Sequence, residues 1–136
     1  MFSWKRPDYL GVKDGRLARP KSTPNCVSSQ ADPSDAEHSI APIAFKGDAA
    51  SAMSAVRKAV EGMRDATVIR HEGGYLYAEF RTRVMRFVDD VEFLHDQKAG
   101  LIHVRSASRL GRRDFGVNRA RVEALRARIE AGGVGP

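Results

Sequence analysis

Residues 67–82, TVIRHEGGYLYAEFRT, place two runs rich in β-branched and aromatic residues on either side of Gly73-Gly74. Val, Ile, Thr, Tyr and Phe favour strands, and a two-glycine loop between such runs is a strong hairpin signal. The stretch therefore predicts strands over 67–72 and 75–82. They must pair antiparallel, because a connection this short leaves no room for a crossover.

A second hairpin is expected directly afterwards. Two largely apolar runs, 84–95 and 101–108, flank a turn over 96–100 that ends in glycine. With this hairpin centred near Lys98, Asp90 would lie opposite Ser106 and Val91 opposite Arg105. Because strand side chains alternate between faces, this register decides which charged groups meet.

The segments before and after the strands have apolar residues at helical spacing. The first helix is expected over 48–63 with Asp48 as its N-cap, and the second over 115–130, ending at Gly132-Gly133. The expected buried stripes are Ala52, Val56, Val60 and Met63 in the first helix, and Asn118, Val122, Leu125 and Ile129 in the second. This order predicts an α+β fold: a four-stranded antiparallel sheet with one helix before it and one after it.

Residues 1–45 precede this α-β-β-β-β-α body, which is assigned to residues 46–131. They hold five of the six prolines, but apolar residues such as Leu10, Leu17 and Val27 interrupt the turn-forming stretches. We expect an extended N-terminal arm packed on the body. The whole chain of 136 residues is then a single domain.

Composition excludes several classes of protein. Hydrophobic residues make up 42% of the chain and charged residues 29%, which is typical of a soluble globular protein. Cys26 is the only cysteine, so an intramolecular disulfide and a cysteine-rich metal site are excluded. No apolar run is long enough for a transmembrane helix, and the first ten residues lack the apolar core of a secretory signal. The default location is cytoplasmic, with an envelope-associated protein as the alternative if the N-terminus is incomplete.

The excess positive charge lies in one segment. The net charge is +6, and eight arginines accompany only two acidic residues between Arg105 and Arg128. The remaining fifteen basic and fifteen acidic residues balance. Arginine forks favour defined carboxylate or phosphate groups. Nucleic acid is disfavoured as a partner, because aromatic residues are few and no binding motif is present, whereas weak association with an anionic membrane surface stays open.

The densest part of this segment is RSASRLGRRDFG, residues 105–116. A strand end, a turn and a helix start meet here, and backbone N–H groups at a helix start favour an anion. A phosphate or carboxylate ligand would be held by Arg105, Ser106, Ser108 and Arg109. Alternatively, Asp114 acts as the N-cap and occupies the helix start with the protein's own carboxylate.

Three carboxylates, Asp89, Asp90 and Glu92, lie on the preceding strand. Such a group can bind Mg²⁺ or act as general acid and base, which in a hydrolase-like enzyme would involve His103. The favoured interpretation is that they pair with arginines and orient them, because arginines outnumber acids here and no metal-type histidine spacing is present. No metal and no cofactor are therefore expected.

Further residues are expected to surround this site or support it. These are Asp114, Asn118, Asn25, Cys26 and Ser28, the last three in an arm segment that would roof the site. Cys26 could act as a nucleophile, but no helix start or glycine elbow marks it. A small buried residue is the favoured interpretation of this cysteine.

Four motifs carry a family resemblance: LGVKDGRL (10–17), PNCVSSQ (24–30), DDVEF (89–93) and RSASRLGRRDFGVNRAR (105–121). Together they resemble domain of unknown function 1499, a family found widely in bacteria and in plastid-bearing eukaryotes. The resemblance implies a single complete domain and supplies no reaction, since the family has no established activity. The chain departs from many members at ARPKST (18–23), where they carry another cysteine.

The function predicted from these patterns is that of a small non-catalytic binding or accessory module with a site for an anionic group. A hydrolase-like enzyme using Asp89, Asp90 and Glu92 with His103 is the alternative. An envelope-associated partner-binding module is a third hypothesis.

Overall fold

The computed structural model describes residues 5–82, 87–111, 113–114 and 116–131. Eight elements follow one another: β1 (Cys26–Ser28), β2 (Ile43–Ala44), α1 (Ala49–Glu61), β3 (Ala66–Glu72), β4 (Tyr75–Arg81), β5 (Val88–Asp96), β6 (Leu101–Ser108) and α2 (Val117–Glu130). The predicted α+β architecture with an antiparallel sheet and two helices is confirmed. Val84, Phe115 and Gly132-Gly133, which were expected at element ends, lie outside the described residues.

The sheet contains both predicted hairpins and two further strands. Its order is β1-β6-β5-β4-β3, and β2 also pairs with β6. Both additional strands come from the N-terminal segment and pair antiparallel with β6, with Cys26 opposite Ala107 and Ile43 opposite Ile102. The prediction of four strands is therefore too low. Strands of three and two residues are too short to show an alternating pattern, so only the tertiary pairing reveals them.

One face of the sheet packs against both helices and forms the main hydrophobic core. Leu76, Phe80, Val91, Phe93 and Val104 point into this core from the strands. The predicted stripe of α2 is buried, and so is that of α1 apart from the half-buried Met63. The N-cap of α1 is Asp48, as predicted, and its side chain accepts a hydrogen bond from the Ser51 amide at 2.8 Å.

The N-terminal segment covers the opposite face of the sheet. Leu17 packs there with Tyr75 and Tyr77, and Leu10 lies against the same cluster. This face also carries charged residues, so the arm lies over a mixed polar and apolar surface. No helix in the described part of the chain is long and apolar enough to span a membrane.

The first hairpin depends on a left-handed backbone at Gly73, where φ is +53° and the space around a Cβ position is open. We predict that Gly73→Val lowers the free energy of unfolding by about 1–2 kcal/mol, because this conformation strains an ordinary L residue. Gly73→Asn should cost clearly less, since asparagine tolerates this region. Urea denaturation measures both, and equal losses would contradict the assignment of the effect to backbone strain.

Candidate anion-binding site

Strand alternation divides the four predicted anion donors between the two faces of the sheet. Arg105 and Arg109 lie on the face covered by the arm, whereas Ser106 and Ser108 point towards α2. The predicted register is wrong by one residue: Ser106 pairs with Val91, and Glu92 lies opposite Arg105. The turn is centred between Lys98 and Ala99 rather than on Lys98, which shifts every partner by one position.

The two serines are bound by the final helix. Ser106 Oγ donates to Asn118 Oδ1 at 2.5 Å, while Asn118 Nδ2 donates to Ser108 Oγ at 2.9 Å and to the Asn25 carbonyl at 3.2 Å. Asn118 is fully buried. Its side chain thereby ties α2 to β6 and to Asn25, the residue before β1.

Asp114 and Asp89 complete this helix-side network. Asp114 accepts hydrogen bonds from the amides of Gly116 and Asn118, both at 3.0 Å, although Gly116 itself holds the N-cap position. Asp89 pairs with Arg121 at 2.7 Å. Burial raises the pKa of Asp89, against the opposing effect of Arg121. The carboxylate of Asp114 therefore occupies the start of α2.

On the arm-covered face, Arg109 is enclosed by acceptors. Its guanidinium lies 2.6 Å from Glu79 Oε2 and 2.8 Å from Asp90 Oδ1, and it also bonds the hydroxyl of Tyr77. Tyr77 donates to Asp90 as well, and Arg6 binds Glu79 from the arm at 2.8 Å. Burial opposes the charge of Arg109, but the carboxylates outweigh it and raise its pKa.

Arg105 has different surroundings. Its Nε and Nη2 donate to the Arg19 carbonyl at 3.3 and 3.1 Å, and its guanidinium carbon lies 4.5 Å from the ring centroid of Tyr9. The residue is 1% exposed, and its Nη1 has no hydrogen-bond partner within the described ranges. No described carboxylate forms an ion pair with it. Arg105 is thus a buried cation with one edge of its fork unused.

Glu92, directly opposite Arg105, is also incompletely bonded. Its Oε2 accepts from Tyr75 Oη at 2.6 Å and from the Gly11 amide at 2.7 Å. Its Oε1 is buried and has no partner among the residues that the structure describes. Burial raises the pKa of the Glu92 carboxyl despite the opposing effects of Tyr75, Gly11 and Arg105.

The other candidate residues lie apart from this pair. His103 Nδ1 is 3.1 Å from Ser29 Oγ, and burial lowers the pKa of His103. Cys26 is fully buried in β1, and Ser28 Oγ accepts from the Gln30 amide at 3.1 Å. Asn25 Nδ2 donates to the carbonyls of residues 110 and 111. Across the described ranges, no group of three or more potential ligands is placed to hold a metal ion.

Much of the arginine-rich segment is used within the molecule. Arg119 donates to the carbonyls of residues 36, 37 and 39, and Arg126 donates to those of 41 and 42. These forks hold the loop before α1 against α2. Arg112, another basic residue of the segment, lies outside the described residues.

Sequence reasoning missed the partners that build the arm-covered face. Tyr75, Tyr77 and Glu79 alternate along β4 and therefore share the face of Asp90 and Glu92. That alternation was visible in the sequence and could have identified them. Tyr9 and the Arg19 carbonyl carried no such signal, because they reach the site through the path of an irregular segment.

His38 is a further group that the sequence did not single out. Its Nδ1 donates to Asp35 at 2.7 Å and its Nε2 to the Thr23 carbonyl at 2.8 Å when the ring is protonated. Burial opposes this charge, but the two acceptors outweigh it and raise the pKa of His38. The protonated ring thereby closes the loop between residues 23 and 38.

We predict a pH effect that follows from the raised pKa of His38. Its stabilising contribution should be complete below the pKa of an unfolded histidine and should be lost as pH rises through the folded pKa. Chemical denaturation of the parent and of His38→Asn across this range isolates the contribution. If the difference in unfolding free energy between the parent and His38→Asn does not shrink as pH rises, the assignment to His38 is contradicted.

The Arg109 cluster gives a second prediction, on stability. The side chain of Arg109 is 7% exposed, so Arg109→Ala should cost roughly 3–5 kcal/mol by leaving buried carboxylates without this cation. Adding Asp90→Asn should recover part of the loss. As a control, Arg57→Ala removes an exposed pair and should cost less than about 1 kcal/mol. Urea denaturation tests all three; no recovery in the double variant would contradict the role of Arg109 as counter-charge.

Comparison with known proteins places this arrangement in a family. Neither the curated proteins nor the solved structures contain a match to the chain. A family model described as a protein of unknown function (DUF1499) matches residues 16–129. The matched range includes every strand, all of α1 and all of α2 except Glu130. The chain is therefore a member of the DUF1499 family.

Proposed function

We propose that this chain is a non-catalytic binding or accessory module that holds a small anionic group at Arg105, beneath the N-terminal arm. The observation that carries the proposal is the unused Nη1 edge of a guanidinium that is 1% exposed. A buried donor without a hydrogen-bond partner is costly, and more so when the donor group is charged. An anion bound at this edge would supply the missing acceptor.

The distribution of the other buried charges supports Arg105 rather than its neighbours as the donor. Asp90 and Glu79 surround Arg109, and Asp89 binds Arg121. Each of these arginines therefore already faces carboxylate oxygens. Of the four donors expected from the sequence, the two serines bond to Asn118 on the other face, so the proposal narrows to Arg105.

The arm controls access to the proposed site. Tyr9 lies over the guanidinium of Arg105, and the Gly11 amide binds Glu92. Because both Arg105 and Glu92 are buried, a ligand reaches them only when this part of the arm moves. Many of its side chains are exposed or half-buried between residues 5 and 16, so little apolar area opposes such a movement.

The hydrolase-like alternative has less support. It requires Asp89, Asp90 or Glu92 to work with His103, but the hydrogen bond recorded for the His103 ring goes to Ser29. Asp89 also faces the helices, away from Asp90 and Glu92. Asp89 and Asp90, which are buried and paired with arginines, are suited to orientation and charge balance rather than to proton transfer with a substrate.

A thermal-shift panel of acetate, sulfate and phosphate tests the proposal. A bound anion at about ten times its Kd stabilises the protein by roughly 1.4 kcal/mol, which raises Tm by about 4 °C. Arg105→Gln should abolish the shift, because it removes the charge and the unused edge. Arg126→Gln is the matched control: this arginine also binds carbonyl oxygens, and the ligand-induced shift should survive.

Two outcomes would contradict the proposal. The first is the absence of any anion-dependent rise in Tm of the parent protein. The second is a rise that persists undiminished in Arg105→Gln, because the anion would then be bound elsewhere on this basic chain.

A further inference from the structure

Two complementary unpaired atoms face each other across β5 and β6. Glu92 and Arg105 are direct cross-strand partners on the arm-covered face, and they are 0% and 1% exposed. Glu92 Oε1 and Arg105 Nη1 each have no hydrogen-bond partner among the described residues. The two side chains do not form an ion pair within 4.0 Å. Glu92 Oε1 therefore lacks a donor and Arg105 Nη1 lacks an acceptor, although the two residues are direct neighbours in the sheet.

The rest of Glu92 is firmly placed. Its other oxygen, Oε2, accepts two hydrogen bonds, from the Tyr75 hydroxyl and the Gly11 amide. These bonds orient the carboxyl so that Oε1 remains the only oxygen available to a ligand. Other titratable or charged groups on this face are Tyr75 and Tyr77 of β4, Asp90 of β5, Arg105 and His103 of β6, Arg109 beyond β6, Tyr9 and Lys21 of the arm, and Arg70 of β3.

The charges of Glu92 and Arg105 restrict the ligand. With Glu92 ionised, this cross-strand pair is neutral, and the charge of Arg105 acts on Glu92. An anion bound to Arg105 Nη1 next to Glu92 Oε1 would bring two negatively charged groups together, and like charges that share a site favour protonation of one of them. Lys21 adds a partly buried cation whose charge also acts on Arg105 and Asp90.

We propose that the site binds a monoanionic carboxylate together with one proton, and that Glu92 carries the proton. One ligand oxygen accepts from Arg105 Nη1 and the other from the protonated Oε1 of Glu92. The proton comes from solvent, the ligand stays ionised, and no covalent bond forms or breaks. This inference rests on the proposed function, because it names the ligand class and the pH dependence of the same Arg105 site.

Two observations favour this ligand over a dianion. The raised pKa of Glu92 means that the folded protein already makes protonation easier than it is in water. A dianionic phosphate or sulfate would bring a second negative charge next to Glu92 and Asp90. Asp90 is committed to Arg109 and Tyr77. Two donor groups also match the two oxygens of a carboxylate.

Isothermal titration calorimetry with acetate tests the proposal, with sulfate as comparison. Acetate remains ionised between about pH 6 and about pH 8, so any proton uptake belongs to the protein. For the parent, we expect Kd to rise about tenfold per pH unit, and so by up to about a hundredfold across this range. We also expect uptake of about one proton per acetate at neutral pH, read from the dependence of the enthalpy on buffer ionisation. Sulfate should bind more weakly than acetate.

Glu92→Gln supplies the decisive variant, because glutamine mimics the protonated carboxyl at every pH. Its Kd for acetate should change less than about twofold across the same range, without proton uptake. Glu61→Gln is the matched control: it removes an exposed carboxylate on α1 and should behave like the parent. If Glu92→Gln does not fold, the proton count of the parent alone decides.

The outcomes separate this inference from the proposed function. Acetate binding that requires Arg105 but shows no proton uptake and a constant Kd would overturn the inference and leave the proposed function intact. Tighter binding of sulfate would do the same. No acetate binding, or binding unchanged in Arg105→Gln, would overturn both.

Discussion

The pairing of buried arginines with carboxylates is the constraint on which the rest of this structure depends. Arg109 lies between Asp90 and Glu79 on one face of the sheet, and Arg121 binds Asp89 on the other. A buried ion pair is weak evidence for stability, but breaking one is costly because the remaining charge has no solvent. Each pair therefore fixes the position of the segment that carries its arginine relative to the central strands.

Arginine–carboxylate pairs on both faces of the sheet explain how it holds the helices on one side and the N-terminal arm on the other. On the helix side, Arg121 and Asn118 bring α2 against β5 and β6, next to a conventional apolar core. On the arm side, a smaller apolar cluster around Leu17 is joined by polar bonds from Arg6 and Gly11. The arm-covered face is thus the place where an incompletely bonded buried pair, Arg105 and Glu92, can occur.

Much of the fold was readable in advance because its signals are local. Gly73-Gly74, the alternation in β4 and the apolar stripes of both helices depend on residues close in sequence. The role of Asp48 and the burial of Cys26 were also predicted correctly. The two short arm strands were missed because they exist only through their pairing with β6. The predicted register of the second hairpin was wrong by one residue, so each residue of this hairpin has a cross-strand partner one position away from the predicted one.

The sequence alone determined the fold class, the family resemblance and the segment that holds the net positive charge, since composition and periodicity do not depend on distant contacts. Only the tertiary structure decided how that charge is used. It placed Ser106 and Ser108 against Asn118, enclosed Arg109 with carboxylates and laid Tyr9 over Arg105. The physical reason is that a buried polar group is defined by its partners, and these partners come from positions up to 96 residues away, as Tyr9 and Arg105 illustrate.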